Sequence, residues 1–225
     1  MNLDDAFWPA LWSLAIATGT RPEVYLVVWY SESGLDPAAQ NPIGCIGLNQ
    51  SCPSPNGPGF PGGDADAYRS SPASAQLAWI APQVTAAIAA NGGPFRSAAR
   101  YLQANWLPAT LPRVRAPREV VAAVGGPYAA AYAANTIFDV TGDGATTLED
   151  LGHYLLGRFG AAADLKSAIA QAYATRPASS PWAAPSIVWF EPGAPSSPAP
   201  APSGRGGLVA LVLFGAGLWW LMRRA

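Results

Sequence analysis

Residues 29–50, WYSESGLDPAAQNPIGCIGLNQ, change character within a few positions: an apolar helical run ends at Glu32, and Ser33-Gly34 must turn the chain. A carboxylate with Val28 and Trp29 one helical turn behind it is partly desolvated, and desolvation raises a carboxyl pKa. Raised far enough, such a group stays protonated near neutrality and becomes a candidate general acid. The plainer reading of one Glu at a helix end is a solvated terminus. Asp36 is the other carboxylate in the stretch, and its place before Pro37 reads as turn chemistry.

Upstream, residues 1–31 read as two helices broken at Gly19-Thr20, with Pro22 near the start of the second, where a missing N–H costs little. Val24, Leu26, Val27, Val28 and Trp29 make that second helix apolar nearly all round, so it should be buried. Met1-Asn2-Leu3-Asp4-Asp5 carries acid where an export signal carries cations, and no signal peptide is expected. Downstream, residues 33–73 are loop-rich, and Ser51–Gly63, with four Pro and four Gly, should hold no regular element. Helical patterning returns over Ala75–Ala90, Ser97–Ala104, Arg118–Asn135, Leu148–Phe159 and Asp164–Thr175, rich in alanine. No alternating strand pattern stands out. The expected fold class is mainly α, with a helical body over residues 1–175.

Half of the 225 residues are apolar and 12% are charged, which suits a packed body and excludes a disordered chain. Residues 1–175 hold nine Lys/Arg against thirteen Asp/Glu, a net charge of −4 that argues against a nucleic-acid binder. The Arg113, Arg115, Arg118 cluster reads as a solvated loop, the alternative being an anion contact. Cys45 and Cys52 sit either side of six residues rich in turn formers. A disulfide closing that loop is geometrically easy, the alternative being two free thiols. The single histidine, His153, is remote in sequence from both cysteines, which argues against zinc.

From Arg176 to Arg205 the composition shifts to Pro, Ser and Ala, the signature of a linker. The apolar residues Trp182, Ile187, Val188, Trp189 and Phe190 interrupt it, as a patch that folds back on the body or rests at a membrane interface. Residues 206–222, GGLVALVLFGAGLWWLM, are seventeen uncharged residues flanked by Arg205 and by Arg223 and Arg224. At ~1.5 Å per residue they span about 25 Å, enough for a short transmembrane anchor. The alternative is a buried terminal helix. The excess of arginine after the segment favours a tail on the inside and a body outside.

Asp139 to Asp150, DVTGDGATTLED, matches a twelve-residue calcium loop. Asp139, Thr141, Asp143, Thr147 and Asp150 supply side-chain oxygens, Ala145 a carbonyl, and Gly144 the bend. Thr141 and Asp150 replace stronger ligands and weaken the match. The competing reading is a metal-free loop that caps the helix from Leu148.

In order along the chain, Glu32-Ser33, Pro37-Ala38-Ala39 and Gly47-Leu48-Asn49-Gln50 resemble the signature of the goose-lysozyme and lytic transglycosylase superfamily. Asn49 stands where that family has a hydrophobic residue or Met. Gln76-Leu77, Tyr101 with Trp106-Leu107-Pro108, and Tyr132 with Asn135 and Asp139 extend the resemblance to a subgroup common among phage virion proteins. It covers roughly residues 6–159, with an insertion at Ser51–Tyr68 in place of the family's short helix. The resemblance implies a lysozyme-like fold and cleavage of the β-1,4 bond between N-acetylmuramic acid and N-acetylglucosamine. Glu32 would be the catalytic acid, Ser33, Gln50 and Tyr132 would line the substrate cleft, and catalysis would need no cofactor; the Asp139 loop spacing separately offers a structural Ca2+ site. The implied partners are peptidoglycan strands, a membrane through the C-terminal segment and other virion proteins. A body placed outside the membrane with no export signal favours a phage virion as the location, with a bacterial envelope facing the periplasm as the alternative. A non-catalytic lysozyme-like binding or structural protein is the competing function.

Overall fold

The computed structural model describes residues 3–53 and 59–192, which form eight α-helices and a two-stranded sheet. Helices α1 (Phe7–Thr18) and α2 (Pro22–Ser33) are divided at Gly19, which closes α1 in the left-handed region at φ +66°. Arg21 is extended (φ −61°, ψ 140°), as suits a residue before proline, and Pro22 opens α2. Val24, Tyr25, Leu26, Val27, Val28 and Trp29 are all buried, so α2 is enclosed on every face.

The remaining helices are α3 (Ala65–Ser70), α4 (Ala73–Asn91), α5 (Ala98–Trp106), α6 (Ala129–Ala134), α7 (Leu148–Phe159) and α8 (Ala163–Ala174). Helices α5, α7 and α8 pack around α2, while α1 lies chiefly against α4. Pro82 sits inside α4 without ending it. The amide it lacks would have bonded the carbonyl of Ala78, a solvent-exposed residue that water can serve instead. Helices α2 and α5 run in parallel. Ahead of both, the Phe95 amide donates to the Thr20 hydroxyl (3.1 Å). Further along, Tyr25 meets Tyr101 edge to face at 5.1 Å, and Trp29 Nε1 donates to the Tyr101 hydroxyl (3.0 Å).

Three sequence expectations are corrected. The single helix expected over Arg118–Asn135 is instead strand β1 (Val120–Ala123), a turn, and then α6. The β-branched pair Val120-Val121 favours the strand, and Gly125-Gly126-Pro127 breaks any helix before Tyr128. Strand β1 pairs antiparallel with β2 (Ala145–Thr147), the second half of the calcium-type loop. The loop-rich stretch after Ser33 contains a 3-10 turn at Pro61–Gly63 and then α3, whose N-terminus is capped by Asp64 accepting from the Ala67 amide. A short helix therefore begins within the Ser51–Tyr68 insertion.

The third correction concerns the body's C-terminal boundary. Residues 176–191, expected as the first half of an extended linker, pack along the body as a strap. Trp182 stacks on Trp12 (6.3 Å), the Ser186 amide donates to buried Glu23 (2.8 Å), and Arg21 donates to the Ala184 carbonyl (2.7 Å). The Val188 and Trp189 carbonyls accept from the Ala98 and Ala99 amides (2.8 and 3.1 Å), satisfying first-turn donors of α5. Ser97 donates to Glu191 (2.7 Å), and Phe190 lies on His153 and against Gly152. The apolar patch thus folds back on the body. The rest of the linker and the anchor segment 206–222 lie outside the described residues. Among the described residues no helix is long and apolar enough to cross a membrane.

Candidate active site around Glu32

Glu32 stands in the last turn of α2. The residue is half-buried overall, but its Oε2 is buried and accepts no hydrogen bond, while Oε1 accepts from Asn105 Nδ2 at 2.9 Å. Burial pushes the carboxyl from 4.5 up to about 8, and the Asn105 bond opposes the rise without cancelling it. The negative end of the α2 dipole also disfavours the charged form. A carboxylic acid that keeps its proton at neutral pH, with one oxygen held and the other unpartnered, is equipped for general acid chemistry.

The Gly47-Leu48-Asn49-Gln50 motif forms the tip of a tight antiparallel hairpin. Ile46 and Ser51 exchange both backbone hydrogen bonds (2.8 and 2.9 Å). One step outward, Cys45 and Cys52 are joined by a disulfide, with Cα atoms 4.0 Å apart. Gln76, fully buried on α4, clamps this tip: its Oε1 accepts from the Leu48 amide (3.1 Å), and its Nε2 donates to the Pro37 and Tyr68 carbonyls (2.7 and 3.0 Å). Gly47 is required there, because its φ is +84° and a Cβ would lie 2.3 Å from Gln76 Oε1. Asn49 Oδ1 accepts from Trp29 Nε1 (3.0 Å) and from the Tyr101 hydroxyl (3.4 Å), so the residue that departs from the family pattern joins the hairpin to α2 and α5.

The expected cleft residues occupy different positions. Ser33 Oγ bonds the Trp29 carbonyl (2.9 Å) and the Leu48 carbonyl (3.1 Å), tying the end of α2 to the hairpin. Gln50 is buried at φ +48°, and its Nε2 donates to the Gly47 and Ala39 carbonyls (3.1 and 3.3 Å). Both polar side chains are thus engaged within the protein. Tyr132 donates to Asp139 Oδ2 (2.7 Å), which attaches it to the calcium-type loop; no hydrogen bond joins it to Glu32. Asp36 Oδ1 accepts from the Ala38 amide (2.9 Å), the turn role expected of it. Arg113, Arg115 and Arg118 are exposed, as expected of a solvated loop.

In the calcium-type loop, Asp139 accepts from Thr141, Tyr132 and the amides of Gly142, Asp143 and Gly144. Burial pushes the Asp139 carboxyl up, but these bonds outweigh it and hold the group below its ordinary value. Asp143 accepts from the Ala145 amide, and Asp150 forms a capping box with Thr147 at the start of α7. Among the described residues no three acidic, His or Cys side chains gather as a metal cage. A cation held by Asp139, Asp143 and Asp150 would draw Asp150 away from Thr147.

The sequence reading passed over Asn105. Its signal is its spacing from Tyr101, four residues earlier, which puts both on one face of α5. A shallow groove between α1 and α4, lined by Ala10, Leu14, Ala17, Leu77, Ala81 and Ile88, shares no residue with the Glu32 site. Comparison with family models, with curated proteins and with solved structures finds no match to this chain.

Proposed function

We propose that this chain is a peptidoglycan-degrading enzyme of the lytic transglycosylase or lysozyme type, with Glu32 as its acid and base. The observation that carries this reading is the buried Glu32 carboxyl, raised to about 8 and placed within the ordered Glu32-Ser33, Gly47–Gln50 pattern. Glu32 protonates the oxygen that leaves the muramyl C1. It then accepts a proton either from the muramyl 6-hydroxyl, giving an anhydro product, or from water, giving a reducing end. An ordinary retaining glycosidase places a second carboxylate about 5–5.5 Å from the first. Asp36 is committed to its turn, and no neighbouring charge contributes to the Glu32 shift. A single-carboxyl mechanism assisted by the substrate's own acetamido group fits this arrangement.

On the sequence of residues 206–222 we also propose that the enzyme is membrane-anchored and carried in a virion for local cell-wall penetration. The test of activity is incubation of the full chain with purified sacculi, followed by mass analysis of released muropeptides. Release of anhydromuropeptides or of new reducing ends supports the proposal. Binding to sacculi with no release, in wild type and Glu32→Gln alike, would replace it with a non-catalytic binding role.

A further inference from the structure

Helices α1 and α4 run side by side in one direction. Asp4, ahead of α1, accepts from the Ser74 amide at the start of α4 (2.9 Å). At the other end, a Cβ on Gly19, after α1, would lie 3.0 Å from the ring of Pro94, after α4. Gln76 holds the start of α4 to the hairpin, which Ser33 ties to the end of α2, while Phe95, beyond the end of α4, bonds Thr20 ahead of α2. The groove between α1 and α4 encloses about 660 Å³. It therefore runs from the strap end of the body, at Thr18 and Ile88, to the Glu32 end, at Ala10 and Ser74.

The chemistry of the groove suits an apolar helix. Neither Phe7–Thr18 nor Ala73–Asn91 contains a charged residue. Its hydroxyls are satisfied internally: Ser13, Thr18 and Thr85 donate to the Pro9, Leu14 and Ala81 carbonyls, each four residues back (2.9, 2.7 and 2.9 Å). Leu14 and Leu77 on its floor are buried and Ile88 is half-buried. A segment laid along it covers a body that is already finished.

One stretch of the same chain has matching character. Residues 206–222 lie outside the described residues, and their sequence is seventeen uncharged, mostly apolar residues. Exposed to water, such a segment is driven onto whatever apolar surface it can reach. As a helix it would be about 25 Å long, against about 21 Å from Ser74 to Ile88 along α4. The strap ends beside Ser97, at the Thr18–Ile88 end of the groove. From there the thirteen residues 193–205 bridge roughly 20 Å as a flexible chain. A segment entering at that end brings Arg223 and Arg224 to the far end, where Asp4 and Asp5 precede α1. Opposite charges placed beyond an apolar contact set its direction. A short tether also supplies a local concentration on the order of millimolar, which favours the chain's own segment over that of a second copy in dilute solution.

We propose that, away from a bilayer, residues 206–222 lie in the α1–α4 groove of their own chain, running from the strap end toward Asp4 and Asp5. The groove and the proposed membrane are then alternative seats for one segment. Nothing in this depends on the chemistry at Glu32, with which the groove shares no residue.

Photocrosslinking in the full chain tests it. A benzophenone amino acid replaces Thr85, on the exposed rim of the groove, or Lys166, exposed on α8. Equal amounts of 15N-labelled and unlabelled chains, irradiated together in dilute solution without detergent, separate crosslinks within a chain from those between copies. The Thr85 probe should capture residues 206–222 of its own chain at least tenfold more than the Lys166 probe does. Phosphatidylcholine–phosphatidylglycerol vesicles should lower that yield at least fivefold. Ala17→Arg combined with Ala78→Arg charges the groove at two exposed positions and should lower it as far without vesicles, with the melting temperature unchanged. Asp5→Arg should weaken it as well. No capture of residues 206–222, capture only between copies, or capture indifferent to the charged groove would overturn the proposal and leave the membrane anchor standing. Capture that responds to the charged groove and not to vesicles would uphold the seat and remove the anchor.

Discussion

Asn105 gives Glu32 the one hydrogen bond that its carboxyl receives among the described residues, across the interface of two parallel helices (2.9 Å). The bond favours the charged form and burial favours the neutral one; burial is the larger effect. Losing a hydrogen bond to a charged group costs roughly 1.5–3 kcal/mol, or about one to two pKa units. Asn105→Leu should therefore raise the basic limb of the pH–rate profile by that amount and lower kcat at least tenfold, since the spent carboxylate is less easily held. An unaltered limb would show that Asn105 does not act on the Glu32 proton.

Glu32 itself should make the protein less stable in alkali. Burial raises its carboxyl from the ordinary 4.5 that the unfolded chain keeps to about 8 in the fold. Between those values the folded state holds the extra proton, so stability falls as pH rises and the loss is complete above about 8. At ~1.4 kcal/mol per pH unit the loss is on the order of 5 kcal/mol. Glu32→Gln should abolish cleavage and also melt above wild type at pH 8.5, with the gap closing by pH 4.5. Parallel melting curves across that range would show that the carboxyl is not raised.

The hairpin should be sensitive in proportion to what each change disturbs. Gly47→Ala meets both a positive φ and the Gln76 amide, and a loss of ~2–4 kcal/mol with collapse of activity is expected. Replacing both cysteines by serine opens only a small loop, worth about 2–3 kcal/mol. Denaturant unfolding of the two variants, with non-reducing alkylation and intact mass to verify the bridge in wild type, measures both.

The strap sets where the body can be cut. A chain ending at residue 175 exposes the Trp12 surface under Trp182, leaves Glu23 without the Ser186 amide and uncaps two amides of α5. A loss of at least ~5 kcal/mol is expected, on the order of 10–20 °C in Tm. A chain ending at 192 should melt like the full protein. Gly152→Ala should produce part of the same loss, because its Cβ would lie 2.5 Å from the Phe190 ring. Equal melting of the 175 and 192 forms would show that the strap contributes nothing.

Calcium, if it binds, must compete with a helix cap. Seating Asp150 on a cation draws it from Thr147, so the affinity should be weak, on the order of 10⁻⁴ M. Millimolar calcium should raise the Tm by a few degrees relative to chelator. A melt indifferent to both would leave the Asp139–Asp150 loop as a cap for α7 and an anchor for Tyr132.

Helix α2 and the desolvation of Glu32 were readable in the sequence because an uninterrupted apolar run can only be buried, and its last carboxylate is buried with it. Asn105 was not, because its spacing from Tyr101 puts the two on one face of α5 without saying that α2 lies opposite. Strand β1 was hidden by its length, two valines followed by alanines that suit a helix equally well. The strap was hidden by composition: Pro, Ser and Ala suggest a linker, while its docking relies on main-chain carbonyls at Val188 and Trp189 that any residue could offer. For Ser33 and Gln50, motif order could not reveal that their polar atoms bond main-chain carbonyls of α2 and the hairpin region.

The parallel course of α2 and α5 gives the molecule a front and a back. Both helices begin under the strap, at Glu23 and Ala98, and both end at the Glu32–Asn105 pair. Twelve residues of α2 at ~1.5 Å each separate the two ends by about 18 Å. The chain leaves the body at the back, beside Ser97, so whatever holds its C-terminus pulls from behind and leaves the Glu32–Asn105 end free. The thirteen residues from 193 to 205 reach at most ~45 Å when fully drawn out. If residues 206–222 are held in a bilayer as proposed, the body is kept on a short leash with the Glu32–Asn105 end turned away from the membrane, and its proposed attack on the wall is confined to a shell within that reach.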